Sequence, residues 1–264
     1  MNQLADQRAI VVGASRGLGR GVAEAFLAEG ASVVAVARDT SPLSELAAGN
    51  KHLELEAEDA IDPGVAGKLL RQYRPDIVAL VAGAAPSLRP LHQQTWESFS
   101  TNWNTDVRMT FYWLSEALRL PLQPGSRVIV MSSGAAIMGS PLSGGYAGAK
   151  ATQRFMADYA GQEAQRADLQ ITVSAVLPRL TPLTDLGKAA TAAYAARMGI
   201  NEEEYLRQLG KPVTPEGAGR AFVSLATGGE AAGAYMLTGD GLQPLPGAAQ
   251  TGRQAPVPAL KEER

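Results

Sequence analysis

The sequence predicts one α/β domain built on a doubly wound parallel sheet with helices on both faces. Three observations carry that expectation. Short valine-rich runs alternate with amphipathic stretches of helical length, glycines cluster where the first run ends, and no linker divides the 264 residues. Strands alternating with helices imply right-handed crossovers, which place helices on both sides of the sheet. A glycine-rich junction between the first strand and the first helix makes the expected fold Rossmann-type.

The elements follow in order. Arg8–Val12 is an apolar strand that stops at Gly13, and GVAEAFLAEG is a helix with Gly30 as its C′ residue. ASVVAVA (31–37) is a second buried strand, LSELAAG is helical, HLELEA is strand-like and PGVAGKLLRQY is helical. DIVALVAG (76–83) is a third strong strand. Thr95 to Leu120 is read as one long helix and RVIVMSS (127–133) as a strand. A long helix (146–165), a strand (171–178) and a helix (214–227) N-capped by Thr214 complete the pattern. Residues 1–244 form the expected domain, and 245–264, rich in Pro, Gly and Ala, the expected loose tail.

Composition narrows the function classes. Apolar residues at 45% and charged ones at 19% suit a folded core. A net charge of −2 and a pI near 5.8 give no electrostatic case for nucleic acid or an anionic membrane. Without cysteine there is no disulfide, thiolate zinc site or thiol nucleophile. His52 and His92 are the only histidines, so a multi-histidine metal site is excluded and no metal is expected, although carboxylate-only magnesium binding stays open. No run of about 18 apolar residues occurs, and MNQLADQRAI lacks the basic-then-apolar order of a signal peptide. A cytoplasmic protein is the default expectation.

The segment VVGASRGLGRG sets Gly13, Ser15, Arg16, Gly17, Leu18 and Gly19 between strand and helix. A diphosphate needs bare backbone to approach, and a helix N-terminus offers it unpaired N–H groups and a favourable dipole. The spacing is GxxxGxG, and in a chain with 28 glycines it could also be a plain structural turn. Its place at the first strand–helix junction favours cofactor binding. Where an NAD site carries an acid on the ribose, about 20 residues after the glycines, the second strand here ends Val36-Ala37-Arg38. Arg16 and Arg38 together suit a 2′-phosphate. NADP(H) is therefore expected over NAD(H); the alternative is that both arginines are solvated and Asp39 is the acid.

Tyr146 and Lys150 in YAGAK stand at i, i+4, which puts both on one helix face, about 5–6 Å apart at Cβ. A phenol ionises near pH 10, so moving its proton at neutral pH requires a cation that stabilises the phenolate. Taken alone, the pair could equally be a half-buried tyrosine and a surface lysine. Ser133 ends the preceding strand, where a hydroxyl can hold a substrate oxygen against the tyrosine.

These motifs resemble the short-chain dehydrogenase/reductase family, in the expected order from Arg8 to about Leu242. The resemblance implies that Ser133 polarises a carbonyl, Tyr146 is the general acid or base, and Lys150 binds nicotinamide ribose. It makes Ser132 the weaker serine. It assigns to Asn104 a water that links lysine to solvent, with Asn102 the weaker candidate. Asp59 matches the family's acidic adenine contact, though a helix-starting acid explains it almost as well. Ala82 and Gly83 would pass close to the adenosine ribose, and Pro178 would border nicotinamide. The segment Thr181–Pro212 matches the family's substrate cover, in which Tyr194, Met198 and Tyr205 either line an apolar pocket or simply pack. A homodimer or homotetramer acting on a small carbonyl or alcohol is implied.

Two departures stand out. The family's NNAG is Leu80-Val81-Ala82-Gly83, so apolar packing is expected to replace the lost side-chain hydrogen bonds, and its PG is Pro178-Arg179, where an arginine could meet an anionic substrate. They leave room for two other functions: a silent dinucleotide-binding sensor or partner protein, and a dehydratase or isomerase on the same scaffold.

Overall fold

The computed structural model describes residues 2–120, 122–228 and 233–246. Eight strands form one sheet: β1 (Arg8–Val12), β2 (Ser32–Ala37), β3 (Leu53–Ala57), β4 (Ile77–Leu80), β5 (Arg127–Met131), β6 (Thr172–Pro178), β7 (Gly233–Thr238) and β8 (Gly241–Pro244). Their spatial order is β3-β2-β1-β4-β5-β6-β7-β8. All pairings are parallel except that of β7 with β8, a hairpin at the edge. The expected Rossmann-type doubly wound fold is the one observed. Chain order reverses between β1 and β4, so a crevice opens beyond their C-terminal ends, where open α/β sheets bind ligands.

The helices are α1 (Gly17–Ala28), α2 (Ser44–Ala48), α3 (Pro63–Tyr73), α4 (Trp96–Asn102), α5 (Arg108–Arg119), α6 (Ala135–Met138), α7 (Gly144–Arg166), α8 (Asp185–Met198), α9 (Glu202–Leu209) and α10 (Pro215–Thr227). On one sheet face Phe26 of α1 and Phe222 of α10 are fully buried with Val11 and Ala35. On the other, Leu69 of α3, Trp113 of α5 and Ala157 of α7 cover Ile10 and Val128. Strands apolar on both sides follow from this double cover. Thr214 caps α10 as expected, accepting from the Gly217 N–H at 2.9 Å. Gly30 follows α1 with φ +89°, the left-handed residue expected there.

Several boundaries differ from the sequence reading; β5, for one, ends at Met131 rather than at Ser133, which leaves Ser132 and Ser133 in the loop before α6. The third strong strand ends at Leu80, because the N–H groups of both Val81 and Ala82 turn to the Val12 carbonyl. Leu245 still donates to Ala234 at 2.8 Å, and residues 247–264 of the expected tail lie outside the described residues. The expected helix from Thr95 to Leu120 is helical from Trp96 to Arg119 but widens in its middle. Thr95 and Ser98 form a capping box at its start, α4 stops at Asn102, and a wide π-type turn, Trp103–Val107, leads into α5. Apolar periodicity does not reveal this widening, because its cause is polar: Asn102 and Asp106 are pulled inward to the loop after β4.

Candidate active site

The C-terminal strand ends bring most of the expected site residues to one edge of the sheet. Gly13 follows β1 with φ +90°, and a Cβ there would stand 2.6 Å from the Ala82 nitrogen. A Cβ on Gly19 would stand 2.1 Å from the Gly13 carbonyl oxygen. Only bare backbone fits at both, so the turn through Ser15, Arg16 and Leu18 lies flat against the start of α1, as diphosphate binding needs. Arg16 is the N-cap of α1 and is exposed, with no side-chain cap of its own. A nicotinamide dinucleotide fits this cradle by its chemistry.

Around the cradle, Arg38 and Asp39 are both exposed. The Asp39 carboxylate already accepts from Ser41, and the Ser41 hydroxyl first, then its N–H at 2.9 Å, hold it below the usual carboxylate range. Asp59 is exposed and accepts from the Ile61 N–H at 3.3 Å; the N-cap of α3 is Asp62 instead. Gly83 is exposed, and Pro178 is buried at the end of β6 with its carbonyl accepting from Gly134 at 2.8 Å. Arg179 beyond it is exposed. Thr184, which caps α8, brings its methyl to within 3.4 Å of where a Gly17 Cβ would sit. The sequence reading did not single it out.

Tyr146 and Lys150 lie one turn apart near the start of α7, as their spacing requires. Lys150 Nζ sits 5.5 Å from the centre of the half-buried Tyr146 ring. Ser133 is half-buried and accepts from the Ala135 N–H at 3.2 Å, while Ser132 is buried and donates to the Lys150 carbonyl at 2.7 Å.

Asn104 goes elsewhere. It is exposed in the π-type turn, and its amide donates to Ser100 at 3.3 Å. The side chain that meets Lys150 is Asp106, fully buried, with Oδ2 at 3.1 Å from Nζ. Lys150 also donates to Gln153 Oε1 at 2.8 Å and to the Met131 carbonyl at 3.2 Å. Gln153 in turn donates to Thr110 and to the Asp106 carbonyl. Asp106 Oδ1 accepts from the Ala84 N–H and the Thr105 hydroxyl, each at 2.8 Å, and Asn102 donates to the Ala84 carbonyl at 2.7 Å. The loop after β4 therefore keeps polar anchors, supplied from α4 and the π-type turn, where apolar packing alone was expected. The spacing of Asn102 and Asp106, at i and i+4, was the available signal.

The segment between β6 and α10 carries α8 and α9. Tyr194 stacks on Tyr205 with ring centres 6.1 Å apart, and the Tyr194 hydroxyl bonds Ser140. Burial pushes the Tyr205 phenol up. Met198 is 54% exposed and faces solvent. Among the described residues no cluster of three or more His, Cys, Asp or Glu could hold a metal, and no helix is long and apolar enough to cross a membrane.

The model of one protein family, the short chain dehydrogenases, matches residues 7–195. The chain belongs to the short-chain dehydrogenase family. It is 29% identical over 243 residues to a hydroxynaphthalene reductase-like protein of Metarhizium brunneum, covering 84% of this chain and 89% of that one. It is 28% identical over 211 residues to a short-chain dehydrogenase/reductase of Arabidopsis thaliana (76% and 81%), and 32% identical over 105 residues to the L-xylulose reductase of Mesocricetus auratus (40% and 43%). As a short-chain dehydrogenase it is an oxidoreductase of the NAD(H)- or NADP(H)-using kind.

Proposed function

We propose that this short-chain dehydrogenase is an NADP(H)-preferring reductase of a small carbonyl compound, with Tyr146 as its proton donor. The observation that carries the reading is the pairing of Tyr146 with the buried Lys150 ammonium beneath its ring, at the same sheet edge as the bare-backbone cradle. The reductase names of its relatives favour the direction.

Gly13, Ser15, Arg16, Gly17, Leu18 and Gly19 would hold the diphosphate, and Ala82, Gly83 and Asp59 the adenosine end. Arg16 and Arg38 would take the 2′-phosphate, a reading supported by the engagement of Asp39 with Ser41. Pro178 would border the nicotinamide. When bound, the dinucleotide supplies a hydride. The chain's own part is to place the substrate and manage one proton. Ser133 Oγ holds the carbonyl oxygen, and Tyr146 Oη releases its proton to that oxygen as negative charge develops there. Lys150 keeps the resulting phenolate beside a positive charge. The segment 181–212 excludes water from above.

Exposed aromatics on α5 and α7, Phe111, Phe155 and Tyr159, together with Trp96 and Trp103, support a homo-oligomer. Light scattering on the purified chain reads its state. We place the enzyme in the cytoplasm.

The test follows absorbance at 340 nm over a panel of ketones, aldehydes and their alcohols, for the wild type and Tyr146→Phe. Turnover that falls at least about 10²-fold in the variant, with dinucleotide binding retained, supports the reading. Turnover indifferent to the substitution removes Tyr146 from the chemistry. Binding without turnover on any substrate returns the sensor alternative.

A further inference from the structure

Lys150 is the most enclosed cation of the site, and a carboxylate closes its surroundings. Its side chain is 5% exposed and that of Asp106 0%. Two N–H groups are taken by neutral oxygens, Met131 O and Gln153 Oε1, and the carboxylate of Asp106 supplies the only opposite charge paired with it among the described residues. An ammonium stripped of water is retained in such a place only with a counter-charge. The second oxygen of Asp106 binds the Ala84 N–H, and a Cβ on Gly83 would stand 2.7 Å from Oδ2. One carboxylate thus touches both the lysine and the loop that borders the adenosine side of the crevice.

We propose that Asp106 is a positioning residue: its charge holds the Lys150 ammonium beneath the Tyr146 ring, and its bond to Ala84 keeps the loop after β4 in register with that lysine. The proposal rests on the reading of Tyr146 and Lys150 given above. Where the resemblance implied a neutral amide that holds a water, a buried acid meets the lysine directly, so the lysine is enclosed on this side and fixed by charge.

Asp106→Asn separates the two roles. An asparagine oriented with its oxygen toward Ala84 keeps the loop bond, while the lysine loses both the charge and the acceptor it faces. Two readouts follow. Acetic anhydride labelling, read by peptide mass spectrometry with the exposed Lys68 as internal standard, reports the lysine without requiring turnover. Lys150 is protected in the wild type and labels at least about tenfold faster in Asp106→Asn once its counter-charge is gone. In the enzymatic assay kcat falls at least about tenfold while the dinucleotide Kd stays within about threefold, and the same substitution in a Lys150→Met background changes kcat by less than about twofold. A purely structural carboxylate would lower stability and leave kcat of the folded protein intact; that result, or unchanged labelling, overturns the proposal. Should Asp106→Asn not fold, the neutral pair Asp106→Asn/Lys150→Gln decides: recovery of folding supports the ion pair, and continued failure assigns Asp106 to the loop alone. A wild type without turnover defeats the reading of Tyr146, and the labelling experiment still judges Asp106.

Discussion

Gly13 and Ala82 meet backbone to backbone across the crevice between β1 and β4, so closely that a methyl group on the glycine would lie 2.6 Å from the alanine nitrogen. Gly13→Ala forces a side chain into that gap at φ +90°. It should cost about 2–4 kcal/mol of stability and weaken dinucleotide binding. Urea unfolding and a fluorescence titration check both, and a variant equal to the wild type in each would refute the close fit.

Arg38→Ala tests the cofactor preference. Loss of one charge-assisted contact to a 2′-phosphate should raise the KM for NADPH about 10- to 100-fold and leave that for NADH within about twofold. Equal effects on the two cofactors would show that Arg38 reads no phosphate.

Asn102→Ala removes the amide that holds the Ala84 carbonyl at 2.7 Å. A part-buried acceptor then loses its partner, at about 1 kcal/mol. The dinucleotide Kd should rise as the loop loosens, whereas kcat at saturating cofactor changes little. A fall in kcat with an unchanged Kd would contradict this.

Tyr73 of α3 donates to Glu56 of β3 at 2.6 Å, and burial first, then that carboxylate, push its phenol well above the usual value. The folded state therefore favours the protonated form. Its contribution to stability is complete below about pH 10, where the unfolded phenol titrates, and is lost progressively as pH rises further toward the folded value. Tyr73→Phe is less stable than wild type at pH 7 by about 1 kcal/mol, and the gap should narrow above pH 10. A gap constant between pH 7 and 11 in urea unfolding would refute it.

Much of this molecule is legible before folding. The strand–helix alternation, the glycine turn and the tyrosine–lysine spacing are local patterns whose meaning follows from helix and strand periods, and the helices on both faces follow from crossover handedness. What escaped is the polar wiring between elements. Asp106, Gln153 and Asn102 are distant in sequence from the loop or strand they serve, or sit within a stretch whose apolar period reads as plain helix. Asn104 is two residues from Asp106 and of a type suited to the role; the wide turn decides which of them faces inward.

That widened turn makes the chemistry depend on residue count as much as on residue type. Removing or adding a single amino acid between Trp103 and Val107 would rotate everything upstream relative to α5 by about 100°, carrying the carboxylate or the amide away from its mark while every residue identity stayed the same. A length change there should be far more damaging than most substitutions, and this short stretch is where insertions in the gene would be least tolerated.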